Sequence, residues 1–213
     1  KNYSISYLNN LFRLNQAQKY YSPAKINLGL LVLNRRNDGF HNLFSLFIEI
    51  GLFDELVFTP SSDFKLSIDC EDDIQLPLDN TNLISRAYEL MRSEAGEVPS
   101  EYAVHLKKTI PSGSGLGGGS SNAASTLKAL NELWQLNYFP NKMETLGIQL
   151  GADVPFFIRG GFQLAEGIGE KLSPQDENVL RGLYFLLIIP SFHISTAEAY
   201  CILNKPLCPV ENH

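Results

Sequence analysis

Between Ser22 and Asp69 the chain carries four apolar runs, INLGLLVL, HNLFSLFIEI, ELVFT and FKLSID, separated by NRRNDGF, GLFD and PSSD. Runs of this length bounded by turn-forming residues predict strands. Asn37-Asp38-Gly39 between the first two predicts a hairpin turn. The period then changes. In NLISRAYELMRSEAG, Leu83, Ile84, Ala87, Leu90 and Met91 fall on one helical face, and Gly96 can end the helix. Alternation returns with Tyr102, Val104 and Leu106 on one side and Ala103, His105 and Lys107 on the other, which predicts another strand. A second helix is predicted over SSNAASTLKALNELW, where Ala123, Ala124, Leu127, Leu130 and Trp134 form a stripe. Asn141 is placed to cap a short third helix carrying Met143, Leu146 and Leu150, with Gly151 closing it. FFIRGG, FQLAEG and LYFLLIIP follow, and the last (Leu183–Pro190) has the length and content of a buried strand. With no internal repeat and no low-complexity linker, the expectation is a mixed α+β chain with one main domain.

Composition narrows what such a fold could do. The 213 residues are 44% hydrophobic and 19% charged, as in a globular protein. No apolar run approaches the ~20 residues needed to span a bilayer, so no membrane association is expected. A net charge of −6 argues against non-specific nucleic-acid binding, which rests on neutralising phosphates. Six Lys and Arg residues and no acid precede Asp38, leaving about −12 on the rest, so an anion site must be built from local cations and backbone N–H groups. Cys70, Cys201 and Cys208 show no metal-ligand spacing and suggest reduced thiols in a cytosol-like compartment. Residues 1–20 are expected to be an N-terminal extension. The stretch is polar and acid-free and lacks the apolar centre of a secretory signal. It is either an ordinary extension or the remnant of a transit segment for a plastid-like organelle.

Between the predicted strand ending near Lys107 and the second helix lies PSGSGLGGGSSNAA, Pro111 to Ala124. A strand, a glycine-rich turn and a helix start aim free N–H groups and the positive end of a helix dipole at an anion. A flexible linker would not run straight into a patterned helix. Gly113-x-Gly115-x-x-Gly118 formally fits a dinucleotide fingerprint, but the region where the acidic residue of that motif should stand is still helix. A Walker A loop needs Gly-Lys-Ser/Thr, and no lysine lies between Pro111 and Thr126.

The loop instead resembles the ATP loop of the GHMP kinase superfamily, P-x-x-x-G-L-G-S/G-S-S. SPAKINLGL (Ser22–Leu30), RNDGFHNL (Arg36–Leu43) and LGADVPFFIRGG (Leu150–Gly161) extend the resemblance to the 4-diphosphocytidyl-2-C-methyl-D-erythritol kinase family of the non-mevalonate isoprenoid pathway. The resemblance implies a GHMP kinase fold. Residues 21–175 would form an ATP-binding domain like ribosomal protein S5 domain 2, and residues 176–213 the start of a second α+β domain. It implies ATP with Mg²⁺, and phosphorylation of the substrate's 2-hydroxyl. Lys25 and Asp153 match the catalytic lysine and general base. Pro111, Gly113, Ser114, Gly115, Leu116, Gly117, Gly118, Gly119, Ser120, Ser121 and Asn122 match the phosphate loop. Asn82 and Leu83, in NTNLISRA, would lie near the purine and Lys108 near the nucleotide. Asn27 would contact the substrate, Phe40 stack on its cytosine and His41 hydrogen-bond to it. ISTAEAY offers Thr196 as a further substrate contact and Tyr200 as the ring closing the other side of the base. Ser120 or Ser121 could meet Mg²⁺.

Family members run further, to a third glycine-containing motif, whereas this sequence ends at CPVENH, so it is expected to be incomplete. The expected compartment is a bacterial cytoplasm or an organelle stroma. Another GHMP kinase of the homoserine or mevalonate type, and a nucleotide-binding but inactive form, remain as alternatives.

Overall fold

One long strand organises the molecule. In the computed structural model, which describes residues 16–70, 76–190 and 199–200, β2 (His41–Ser61) lies beside three other strands. Along one edge it pairs antiparallel with β1 (Gln18–Arg35). Along the other, its first half pairs with β5 (Phe162–Gly167) and its second half with β4 (Glu101–Lys108), both antiparallel. The sheet is completed by β3 (Lys65–Cys70), parallel to β4, and β6 (Lys171–Pro174), antiparallel to β5.

The expected hairpin joins β1 to β2. Gly39 takes the left-handed φ of 88°, and the Arg36 N–H donates to the Phe40 carbonyl at 2.7 Å. The expected break at GLFD is only a bulge, because β2 continues through it with Gly51 and Leu52 extra opposite the Pro23–Ala24 step of β1. An aspartate in an apolar run reads as a turn residue, but Asp54 is fully buried with its oxygens satisfied inside the protein. β1 also starts earlier than expected. Gln18, Lys19 and Tyr20 pair with Phe58, Val57 and Leu56, so the last residues of the supposed extension belong to the sheet.

The helices are α1 (Leu83–Ala95), α2 (Gly118–Leu133), α3 (Pro140–Gly147) and α4 (Val154–Arg159). In α1, Ile84, Ala87, Tyr88 and Met91 are buried on one face, and the Asn82 carboxamide caps the N-terminus by accepting the Ile84 N–H at 2.9 Å. α2 is more enclosed than its apolar stripe predicts. Ser121, Asn122, Ser125, Thr126 and Ala129 are buried as well, because α2 packs against β1, β2, α1, α3 and α4 and its small residues permit close approach. Phe47, Leu56, Phe58, Tyr102, Leu106, Leu127, Leu130, Phe156 and Phe157 belong to the main core. A large apolar side chain fully buried in this way contributes roughly 1.5–3 kcal/mol.

Three local expectations are corrected. Asn141 does not cap α3. Phe139 occupies the cap position and Pro140 begins the helix, where its missing N–H costs nothing, and α3 ends at Gly147 rather than Gly151. Ahead of Val154-Pro155 an extended backbone is the usual bias, but Asp153 is helical. It lies at the N-cap of α4 with φ −83° and ψ −14°, and the proline after Val154 falls in the first turn, where it is tolerated. Residues 183–190 form no strand. Among the described residues no strand pairs with them, and Tyr184 and Leu186 are almost fully exposed.

Candidate active site

The glycine loop leaves β4 at Lys108 and enters α2 at Gly118, so a 16-residue helix points its N-terminus at the loop. Gly117 occupies the N-cap in the left-handed conformation, φ 72°, so no side chain caps this terminus. A Cβ on Gly117 would stand 2.8 Å from the Phe157 ring and 3.1 Å from Cγ of Lys25. Glycine is required there on both counts. No acidic residue stands in the first turn, leaving its N–H groups and dipole uncompensated. The loop also docks on the free edge of β1, where the Lys25 N–H donates to the Leu116 carbonyl at 2.9 Å and Leu116 packs with Ala24 and Ile110.

Lys25 lies between two register shifts of the β1–β2 pairing, at Pro23/Ala24 and Asn27/Gly29. Such bulges re-aim side chains. Its side chain is 7% exposed, and the ammonium donates to Asn27 Oδ1 at 2.9 Å, sits 3.4 Å from Asp153 Oδ2, and lies 4.1 Å from the centre of the Phe47 ring. A solvated edge lysine is thereby excluded. Asp153 keeps a 33% exposed side chain. It comes from the other side of the fold, at the start of α4, and the turn at Gly169 passes close to its carboxylate. Four polar side chains hold the far end of α4. Lys128 donates to the Phe157 carbonyl at 2.9 Å and Gln163 to the Gly160 carbonyl at 2.7 Å, Glu49 accepts the Gly161 N–H, and Arg159 bonds to Glu144.

The other expected residues stand around this centre. Ser120 lies against Gly151, near Asp153 in the chain, and Leu83 lies against Gly119, so the start of α1 meets the start of α2. Ser121 Oγ and Asn122 Oδ1 are buried with no hydrogen-bond partner among the described residues, whereas Ser114 Oγ donates to the Pro111 carbonyl at 2.6 Å, inside the loop. Lys108 is in place beneath Gly118, but its ammonium is engaged by Asp54 at 2.7 Å and by the Ile110 carbonyl at 2.6 Å. At the hairpin end, Phe40 is exposed and His41 nearly buried. The His41 ring stacks on Tyr200 with centroids 5.4 Å apart and planes 25° from parallel. Burial, and after it the charge of Asp153, push the Tyr200 phenol above its ordinary range. Thr196 lies outside the described residues.

Sequence reasoning missed Phe47, Phe157 and Asp54. Phe47 had a usable signal, since strand alternation puts it on one face with Ser45 and Glu49.

Residues 82–161 match the family described as GHMP kinases N terminal domain. A solved structure of 4-(cytidine 5'-diphospho)-2C-methyl-D-erythritol kinase aligns with 36% identity and a TM-score of 0.68, covering 91% of this chain and 69% of that one. The chain belongs to the 4-diphosphocytidyl-2-C-methyl-D-erythritol kinase family. The kinase of that name from Prosthecochloris aestuarii is 44% identical over 178 residues, 83% of this chain and 60% of the relative. The chain spans about three fifths of the length of the curated relatives it matches. Homoserine kinase from Cytophaga hutchinsonii shares the fold at 20% identity and a TM-score of 0.63, covering 91% of this chain and 62% of that one. Among the described residues no helix is long and apolar enough to cross a membrane.

Proposed function

We propose that this chain carries the nucleotide site and the reacting groups of an ATP-dependent kinase acting on the 2-hydroxyl of 4-diphosphocytidyl-2-C-methyl-D-erythritol. The observation that carries the reading is the Lys25–Asp153 pair, held where Gly117 packs against Lys25 at the start of α2. A carboxylate that keeps access to solvent beside a buried ammonium suits proton transfer from an alcohol with the developing charge stabilised alongside.

In this reading, the first-turn N–H groups of α2 and the loop receive the phosphates, with Asn82 and Leu83 toward the purine. The substrate oxygen attacks the γ-phosphorus, a new O–P bond forms, and the bond to the β-phosphate oxygen breaks to release ADP. Asp153 takes the hydroxyl proton while Lys25 stays charged beside the reacting oxygens, fixed by Asn27 and the Phe47 face. Mg²⁺ would be held by one or two protein oxygens together with the nucleotide phosphates. The partnerless Ser121 hydroxyl and the Ser120 hydroxyl beside Gly151 fit that demand. The ion would neutralise charge on the transferring phosphoryl group.

At the hairpin end the His41 ring stacks on Tyr200 and Phe40 stands exposed beside it in sequence, so the region offers stacking faces and an imidazole edge for a cytosine, the feature that favours a cytidylated substrate over homoserine or mevalonate. Thr196 enters this reading through the resemblance alone. We place the reaction in a cytoplasm-like compartment, in keeping with the unpaired Cys70.

The test compares ATP turnover by the full-length protein with the cytidylated alcohol, homoserine and mevalonate. The cytidylated alcohol is expected to give the highest kcat/KM. Preference for either of the others would replace the substrate but keep the fold, and ATP binding with no turnover of any would favour an inactive nucleotide binder.

A further inference from the structure

The glycine loop is pinned at both ends to one buried ion pair that the proposed chemistry does not use. Asp54, in the middle of β2, is fully buried. One of its oxygens meets the Lys108 ammonium at 2.7 Å, and the other accepts the N–H groups of Thr109 and Ile110, each at 2.7 Å. Those two donors are the first backbone groups after β4, so the chain leaves the sheet at Lys108 because Asp54 captures them. The ammonium donates its second bond to the Ile110 carbonyl. A Cβ on Gly118, the first residue of α2, would lie 2.9 Å from it, so the exit of the loop rests on the same group that fixes its entry.

For stability alone this placement is poor. A buried ion pair is often no better than apolar residues of the same volume, and a cation under a helix N-terminus opposes the dipole. What the pair does supply is position, because charge-assisted bonds are directional and these converge from two sides of the loop.

We propose that Asp54 and Lys108 form a positioning pair that sets the geometry of the phosphate loop, acting on ATP through Thr109, Ile110 and Gly118 rather than by contact. Lys108 is then a brace for the loop and not a phosphate-binding cation. The proposal rests on the kinase reading, since it names what holds that reading's ATP site in shape.

The experiment uses the full-length protein, the double variant Asp54→Asn/Lys108→Met and the single variant Lys108→Arg. The double variant removes both charges and leaves neither stranded. The single variant keeps the charge and replaces a compact ammonium with a guanidinium too large for the space under Gly118. Affinity for a non-hydrolysable ATP analogue is read by calorimetry, KM for both substrates by kinetics, and Tm by melting. About tenfold or weaker analogue binding is expected in each folded variant, with the KM of the alcohol substrate within about twofold, because small displacements of positioning groups are felt at the site they shape. Analogue affinity equal to wild type in any variant that folds overturns the proposal. Should the double variant fail to fold, Lys108→Arg decides alone. Unfolding of both also overturns it, since the pair would then support the sheet and not the loop. A wild-type protein that binds no ATP analogue would instead remove the kinase reading itself.

Discussion

Lys25 and Lys108 flank the same glycine loop, are both nearly buried, and both face an aspartate, yet the two pairs are built for different ends. Lys108 meets Asp54 at 2.7 Å with side chains 5% and 0% exposed, and backbone N–H groups take the remaining capacity of the carboxylate. Lys25 meets Asp153 at 3.4 Å, and that carboxylate stays 33% exposed with its position fixed by the start of a short helix. An enclosed and saturated pair can only hold; a looser pair open to solvent can exchange a proton with something that enters. The glycine loop lies between them and touches both, through Leu116 on the Lys25 N–H and through Ile110 on the Lys108 ammonium.

The widest separation of the two pairs should come from their aspartates. Asp153→Asn is expected to lower kcat by about 10²–10⁴-fold, the usual contribution of a general base, with ATP affinity retained. Its melting temperature should fall less than that of Asp54→Ala, because the asparagine oxygen still accepts from the Lys25 ammonium and the position stays partly open to solvent. Asp54→Ala is expected to do the reverse in kind. It strands the Lys108 ammonium and leaves two N–H groups unpaired, and should cost about 3–5 kcal/mol in urea unfolding. If Asp153→Asn melts as low as Asp54→Ala, or keeps full turnover, the contrast collapses.

Lys25→Met sharpens the same point at smaller amplitude. Its backbone N–H still bonds to Leu116, so the docking of the loop on β1 survives the change. Turnover should fall about 10²–10³-fold as stabilisation of the reacting oxygens is lost, while nucleotide affinity stays near wild type. A loss of ATP affinity as large as the loss of kcat would make Lys25 a brace like Lys108.

Much of this fold was legible because its periods were clean. α1, with its Asn82 cap, and β4, with Tyr102, Val104 and Leu106 inward, follow from spacing alone, and so does the helix that receives the loop. The long strand was not legible, because GLFD looks like a turn unless one knows that Asp54 has partners 54 to 56 residues away in the chain. Local sequence holds no trace of such a partner. The same reason hid the setting of Asp153, which faces a lysine from β1 and whose backbone is set by the helix it begins. LYFLLIIP reads as a buried strand from its composition, but a strand also needs a neighbour, and composition does not supply one. The motifs drew attention to both lysines; distances and burial separated the pair open to solvent from the pair that is enclosed.

A third lysine gives the finest test. Lys128 projects from α2 toward α4, and its ammonium bonds a carbonyl, that of Phe157, with the Glu49 carboxylate acting only at longer range. Burial outweighs the attraction of Glu49 and holds its pKa below the ordinary lysine value. The folded protein therefore releases this proton at lower pH than the unfolded chain does. Between the two pKa values the unfolded state binds more protons, so this group makes stability rise as pH climbs toward the ordinary lysine range. Lys128→Met should lack that rise. The difference in urea unfolding free energy between wild type and variant, followed from pH 7 to about 10.5, should shift in favour of the wild type as pH increases. The amplitude will be smaller than that of either aspartate change, since one partly exposed group is involved. A difference that stays flat, or moves the other way, would show that the charge of Glu49 offsets the burial of Lys128, and that a carboxylate at longer range is enough to hold this ammonium charged.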